Sequence, residues 1–265
     1  MPLQARSIEV RVGTKALIQD VSLDLAAGKF VAVIGPNGAG KSTLLSALAG
    51  DRPLAAGHVL LDGQPLGRWT KVALAQRRAV LPQHSSVAFD FTGLQVAMLG
   101  LLAHRGRFSE KEMRTRAERC LAETEALAFA DRPYTVLSGG ERQRIQLARV
   151  LAQCDADSGA EPFLLLDEPI AGLDLSHQHA ALASARRRAD RGLGVLAVLH
   201  DVNMASNYAD EVAVMENGRL TAFGPADMVL GAERLSQVFS TPIQRLDTPH
   251  GAVFLSPAPG GEKRT

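Results

Sequence analysis

Phe30-Val-Ala-Val-Ile34 runs straight into Gly35-Pro36-Asn37-Gly38-Ala39-Gly40-Lys41-Ser42-Thr43, and the fold is read from this join. Five consecutive apolar residues bounded by glycines predict a strand buried on both faces. The run that follows fits G-x-x-x-x-G-K-[ST], a pattern with a physical reason behind it. Glycines let backbone N–H groups turn inward around phosphate oxygens, and a helix over about residues 41–48 would point its positive end at the same place. Lys41 can then reach the outer phosphates of a nucleotide, and the Ser42 hydroxyl can ligate Mg²⁺. A chance glycine-rich turn would need neither the strand before it nor the helix after it.

A second apolar run, Phe163-Leu-Leu-Leu166, ends in Asp167-Glu168. Ligands of parallel sheets bind at the C-terminal ends of the strands, where this pair sits. Asp167 is expected to hold Mg²⁺ through its water shell, and Glu168 to orient and deprotonate an attacking water. Taken alone, the pair is also a strand end whose acids cap the next helix. The upstream lysine loop is what gives it meaning.

Short strands are expected at residues 8–12, 23–25, 59–61 and 79–81. Helical spacing takes over across about 87–152, with Ser109 and Glu112 placed as a capping box. Strand signals return at 163–166, 195–199, 212–215 and 220–222, alternating with helices near 175–188 and 202–208. Such alternation predicts an α/β fold with a mostly parallel sheet, interrupted by a helical insertion. The last ten residues, 256–265, are rich in proline, glycine and charge and are expected to be disordered.

Leu137-Ser138-Gly139-Gly140-Glu141-Arg142-Gln143-Arg144 is the remaining decisive run. Ser138 and Glu141 form a second capping box. A plain cap does not require two glycines, which leave the helix N-terminus bare enough for a second anion. With this motif in place the chain resembles the nucleotide-binding subunits of ABC transporters, whose signature is LSGGQ; here glutamate stands last. The resemblance covers about residues 3–255, and its motifs occur in family order. It implies a P-loop NTPase (RecA-like) core over 1–86 and 153–255, an N-terminal antiparallel β portion and a helical subdomain over 87–152. By the same resemblance Gln83 lies in a loop that contacts Mg²⁺ and senses a membrane subunit, Asp174 lies in the D-loop, and His200 is the switch histidine. ATP and Mg²⁺ are the implied cofactors. Two copies are implied to meet head to tail, so that ATP on Lys41 of one lies against Ser138 and Gly140 of the other. The family usually stacks an N-terminal aromatic on adenine, but residues 1–29 contain none. Val10 or Val12, helped by Arg11, is expected in that place, with weaker discrimination between ATP and GTP.

Around Gln83 the run Arg77-Arg-Ala-Val-Leu-Pro-Gln-His84-Ser-Ser resembles haem import ATPases of the type II importers, as do Leu173-Asp-Leu-Ser-His177-Gln-His179 and the extra segment 154–161. Ferric siderophore and cobalamin importers belong to the same group. In such importers cargo crosses through membrane subunits, so His84, His177 and His179 are read as ordinary polar residues and no direct cargo binding is expected. The implied partners are a second copy, two integral permease subunits and, indirectly, a periplasmic binding protein, with the chain peripheral on the cytoplasmic face of the inner membrane. Net charge of +1 gives no electrostatic case for nucleic acid. Cys120 and Cys154 lack metal-ligand spacing and suit a reducing compartment. The longest apolar stretch, 96–103, is far short of the roughly 20 residues that span a bilayer, and no N-terminal signal is visible. A non-transport ABC ATPase would usually carry two cassettes or a coiled-coil insertion. A module without catalysis would have lost Glu168 or His200.

Overall fold

A computed structural model describes residues 2–83, 90–155, 162–249 and 251–257. Two strands open the chain, β1 (Leu3–Val12) and β2 (Lys15–Leu25), both longer than the apolar pattern predicts. The reason is local. The β1–β2 register shifts between Ala5 and Ile8, and Ser7 and Asp20 take positive φ angles of 44° and 50°. Each such irregularity interrupts the two-residue alternation, so Leu3, Ala5, Ile8 and Val10 all reach the core despite uneven spacing. Then follow β3 (Phe30–Ile34), α1 (Lys41–Leu48), β4 (Ala56–Leu61), the two-residue β5 (Gln64–Pro65), α2 (Lys71–Arg77) and β6 (Arg78–Leu81). Next come α3 (Gly93–Leu99), α4 (Glu110–Glu123) and α5 (Gly139–Cys154). The remainder is β7 (Phe163–Asp167), α6 (Leu175–Asp190), β8 (Gly194–Val198), α7 (Val202–Tyr208), β9 (Glu211–Glu216), β10 (Arg219–Pro225), α8 (Ala226–Val229), α9 (Ala232–Val238), β11 (Gln244–Thr248) and β12 (Gly251–Leu255).

Six strands form the main sheet in the order β10-β9-β3-β8-β7-β6, parallel except for β10. The order β2-β1-β4-β5 makes a separate antiparallel sheet, and β11–β12 is a hairpin. Every residue of β3, β7 and β8 is buried. Alternate side chains enter two cores. Phe30, Ala32 and Ile34 join one with α3–α7, while Val31 and Val33 join another with α1 and the antiparallel sheet. A strand covered on both faces cannot show polar alternation, which is why these three read as unbroken apolar runs.

Both capping boxes form, at Ser109–Glu112 and at Ser138–Glu141. Glu123 at the end of α4 accepts from Ser184 Oγ at 2.6 Å and Arg188 at 2.9 Å, tying α4 to α6. Cys120 and Cys154 are buried nearby, and burial pushes their thiols up to about 11 and about 12, so neither is a thiolate at neutral pH. Among the described residues no helix is long and apolar enough to cross a membrane. The expected disorder at 256–265 falls largely outside the described residues, as does the expected subdomain boundary at residue 87.

Asp210 fixes the start of the central strand. Its carboxylate accepts from Phe30 N at 2.7 Å and from Arg186 at 2.8 Å, and its own N–H donates to Phe30 O at 2.9 Å. Burial pushes this carboxyl up, but the Arg186 and Phe30 bonds outweigh it and leave the group below its ordinary 3.8. A depressed folded value means the stabilisation is present above the ordinary value and is lost as pH falls through the folded one. Asp210→Asn is therefore expected to lower stability in denaturant titrations at neutral pH, with a deficit that shrinks as the pH approaches and passes below 3.8. A deficit constant with pH would contradict the account.

Candidate active site

The loop between β3 and α1 closes tightly because its glycines take conformations that side chains resist. Gly35, Gly38 and Gly40 have φ of 145°, 79° and 98°. A Cβ on Gly35 would lie 2.0 Å from the Met215 carbonyl oxygen, so only glycine lets the loop pass this close to β9. Lys41 is 6% exposed, and its ammonium donates to the carbonyls of Gly35 at 2.8 Å and Pro36 at 2.9 Å. Burial lowers its pKa, opposed by the nearby charges of Glu168 and Asp167.

Asp167 is the last residue of β7 and is 5% exposed. Burial raises its pKa, and the Ser42 hydroxyl, which donates to Oδ1 at 3.0 Å, partly offsets this. Glu168 follows with φ of 50°, a left-handed conformation that bends the chain off the sheet and brings its carboxylate over the loop. Its Oε1 accepts from Gln83 Nε2 at 2.8 Å and from His200 Nε2 at 2.7 Å. Burial alone would raise the Glu168 pKa, but His200, Gln83 and Lys41 together bring it below the usual value. The result is an ionised carboxylate with Oε1 held by two donors, while Oε2 has no hydrogen-bond partner among the described residues. Lys15, Leu17, Asn37 to Thr43, Gln83, Glu168 and His200 line one cleft of about 400 Å³.

Ser138, Gly139, Gly140 and Asp174 lie outside that cleft. Ser138 caps α5, with Glu141 Oε2 accepting from its N–H at 2.7 Å. A Cβ on Gly139 would meet nothing within 4 Å, as expected of a bare helix end. Gly140 differs, since a Cβ there would lie 3.3 Å from the Gly172 carbonyl, so its smallness also serves packing within the chain. Asp174 caps α6, accepting from His177 N at 3.0 Å. His177 contacts Asp174 through Nδ1 at 2.5 Å and Glu125 through Nε2 at 3.4 Å, while His179 Nδ1 lies 2.8 Å from the Tyr208 hydroxyl. Both histidines are thus engaged by neighbours; His84 lies outside the described residues.

The expected adenine contact is revised. Val10 is 1% exposed and belongs to the core, so it cannot meet a base; Val12 is 59% exposed, and Arg11 pairs with Glu9. Lys15 and Leu17 line the cleft instead. Gln143, beside the glycines, has a role that its spacing in the sequence does not reveal. Its amide donates to the carbonyls of Glu168 and Pro169, each at 3.2 Å, and braces the left-handed turn that aims the carboxylate.

A parallel sheet whose strand ends gather a glycine-rich lysine loop, a buried aspartate and a doubly held glutamate is that of a nucleotide-binding ATPase domain. A family model described as ABC transporter matches residues 18–171. The chain is 44% identical over 256 residues to the hemin import ATP-binding protein HmuV of Rhodococcus jostii, covering 96% of this chain and 86% of that protein. It is 46% identical over 250 residues to the protein of the same name from Myxococcus xanthus, covering 94% of each. Among solved structures, an inward-facing ABC transporter of metal-chelate type superposes with a TM-score of 0.77 at 25% identity, over 96% of both chains. The chain belongs to the ABC transporter family, as an ATP-binding domain.

Removing the brace should show in turnover. Gln143→Leu is expected to lower ATP turnover roughly tenfold while leaving ATP affinity nearly unchanged, since it displaces the carboxylate and not the phosphate loop. Steady-state kinetics with an equilibrium binding titration would check this; a loss of affinity with unchanged kcat would contradict it.

Proposed function

We propose that this chain is the ATP-hydrolysing subunit of a haem importer, acting from the cytoplasmic face of the inner membrane. The observation that carries the ATPase part is the Glu168 carboxylate, held by Gln83 and His200 at the rim of the Lys41 loop. Support for haem comes from the relatives, which are named for hemin import. The backbone of Gly35 to Thr43 wraps the phosphates, and Lys41 exchanges its carbonyl partners for phosphate oxygens. Ser42, Asp167 and Gln83 offer hard oxygen donors, and the Ser42–Asp167 contact of 3.0 Å fits an oxygen-loving cation such as Mg²⁺. When bound, that ion would neutralise charge on the phosphates. Glu168 takes a proton from water through Oε2 as the water attacks the γ-phosphorus and the bond to ADP breaks. His200 steadies the γ-phosphate, and the Gln143 brace keeps the carboxylate in line.

A second copy supplies Ser138, Gly139, Gly140 and Asp174 across the nucleotide, which accounts for their place outside the cleft of this chain. Closure around ATP and reopening after hydrolysis would drive two permease subunits, with a periplasmic binding protein delivering cargo on the far side. The helical insertion of about residues 87–152 would move with Gln83 as its hinge. ATP and ADP shift this motion because they differ in affinity for the closed form.

Lys41→Ala is expected to lose nucleotide binding. Glu168→Gln should retain ATP, form a dimer in its presence and lose about a thousandfold in kcat. Near-normal turnover in Glu168→Gln would remove that residue from the role of general base.

The cargo is tested by co-expression with the membrane subunits and the binding protein, reconstitution, and uptake of haem, a ferric siderophore and cobalamin side by side. Haem uptake that disappears with Glu168→Gln is the expected result. Siderophore or cobalamin uptake without haem would overturn the cargo and leave the ATPase assignment standing.

A further inference from the structure

His200 borders both the Lys41 cleft and a second cavity. That cavity, of about 410 Å³, is lined by His200, Asp201, Asn203 and residues of β12, among them Phe254 and Leu255. The His200 side chain is 46% exposed and bonds to Glu168. Little packing holds the imidazole, so its position depends on the backbone that carries it.

That backbone is pinned twice. The Asp201 carboxylate accepts from Asn203 N at 2.7 Å and Met204 N at 3.2 Å, capping α7 from within. The Asn203 side chain then reaches outward. Its Nδ2 donates to Phe254 O at 3.1 Å and its Oδ1 accepts from Phe254 N at 2.7 Å. A carboxamide donates and accepts at once, as a peptide group does. Asn203 thereby takes the place of a neighbouring strand along the edge of β12. Phe254 is 6% exposed and anchored in the larger core, so the hairpin is a fixed support on this side.

We propose that Asn203 is a positioning residue for the ATPase reaction: its paired bonds to Phe254 clamp the first turn of α7 to the β11–β12 hairpin and hold His200 against Glu168. This rests on the role assigned to His200 above. The hairpin, far from the phosphate loop in sequence, becomes part of the catalytic support. Whatever displaces it would lower turnover without disturbing the residues that bind ATP.

The test is a double-mutant cycle on the full chain, comparing wild type, Asn203→Ala, Asn203→Asp, His200→Ala and the double Asn203→Ala/His200→Ala variant. ATP turnover is measured with ATP-binding stoichiometry, so that misfolded protein is excluded from kcat. Asn203→Ala is expected to lower kcat about tenfold with KM for ATP within about twofold of wild type. Asn203→Asp, which keeps the bond from Phe254 N but sets a carboxylate against Phe254 O, should lie between. In the His200→Ala background Asn203→Ala should have no further effect, because the residue acts through the imidazole. Equal losses in both backgrounds, or an unchanged kcat in Asn203→Ala, would overturn the proposal while the His200 assignment stands. Full turnover in His200→Ala would overturn both.

Discussion

Parallel pairing of β3, β8 and β7 is the constraint on which the rest of the molecule depends. Val33 lies opposite Val198, and Val198 lies opposite Asp167. One residue beyond that line stands Glu168, and two residues beyond it stand Gly35 and His200. Leu81 of β6 lies opposite Leu166, which brings Gln83 level with Glu168. The phosphate loop, both acids, the histidine and the glutamine therefore emerge at one edge because four strands share a register. A slip of one residue in any of them would turn its buried side chains to the wrong core and move its functional residue away from the others. Burying the strands on both faces makes such a slip expensive, so packing and catalytic alignment are enforced by the same contacts.

The electrostatics follow from where the strands end. Asp167 is still inside the sheet, and desolvation dominates its environment, with Ser42 as its partial remedy. Glu168, one residue later, has left the sheet and meets His200, Gln83 and the field of Lys41, which overcome the cost of burial. Adjacent carboxylates are thus pushed in opposite directions, the pattern that separates roles between like groups. The inner acid is suited to a bound cation that would relieve its desolvation. The outer one is suited to receiving a proton in a geometry set by its neighbours. The positive φ at Glu168 is what separates the two environments, and Gln143 supports it.

Much of this was legible in the sequence wherever one segment carried the whole signal. β3 and α7 have the bounds that the pattern predicts, and both capping boxes form where Ser and Glu stand three apart. What escaped depends on partners distant in the chain or on breaks in periodicity. The first two strands were underestimated because Ser7 and Asp20 interrupt their alternation. Val10 looked available to a base until the antiparallel sheet buried it. Gln143 and Asn203 are polar residues on helices, and their partners are backbone atoms of β7's exit turn and of β12, which no spacing rule connects to them. In the hairpin, β11 is exposed at every residue and has little apolar pattern to betray it.

Ser138 and Gly139 are exposed at the N-terminus of a long helix, and the Asp174 side chain is 67% exposed at the start of another. The helix ends are internally capped by Glu141 and Asp174, so their exposure is not a folding defect that packing failed to cover. Gly139 has open space where a side chain would stand, and Gly140 is held small by the Gly172 carbonyl, which sets this helix end beside residues 171–174. On the proposed function, one chain would bind phosphates with its Lys41 loop and present a second, separately built surface outside that cleft. Two such chains related by a twofold axis would bring each surface over the other's loop, an isologous arrangement that closes on itself. On this reading hydrolysis is coupled to assembly because neither half of the site is complete within one fold.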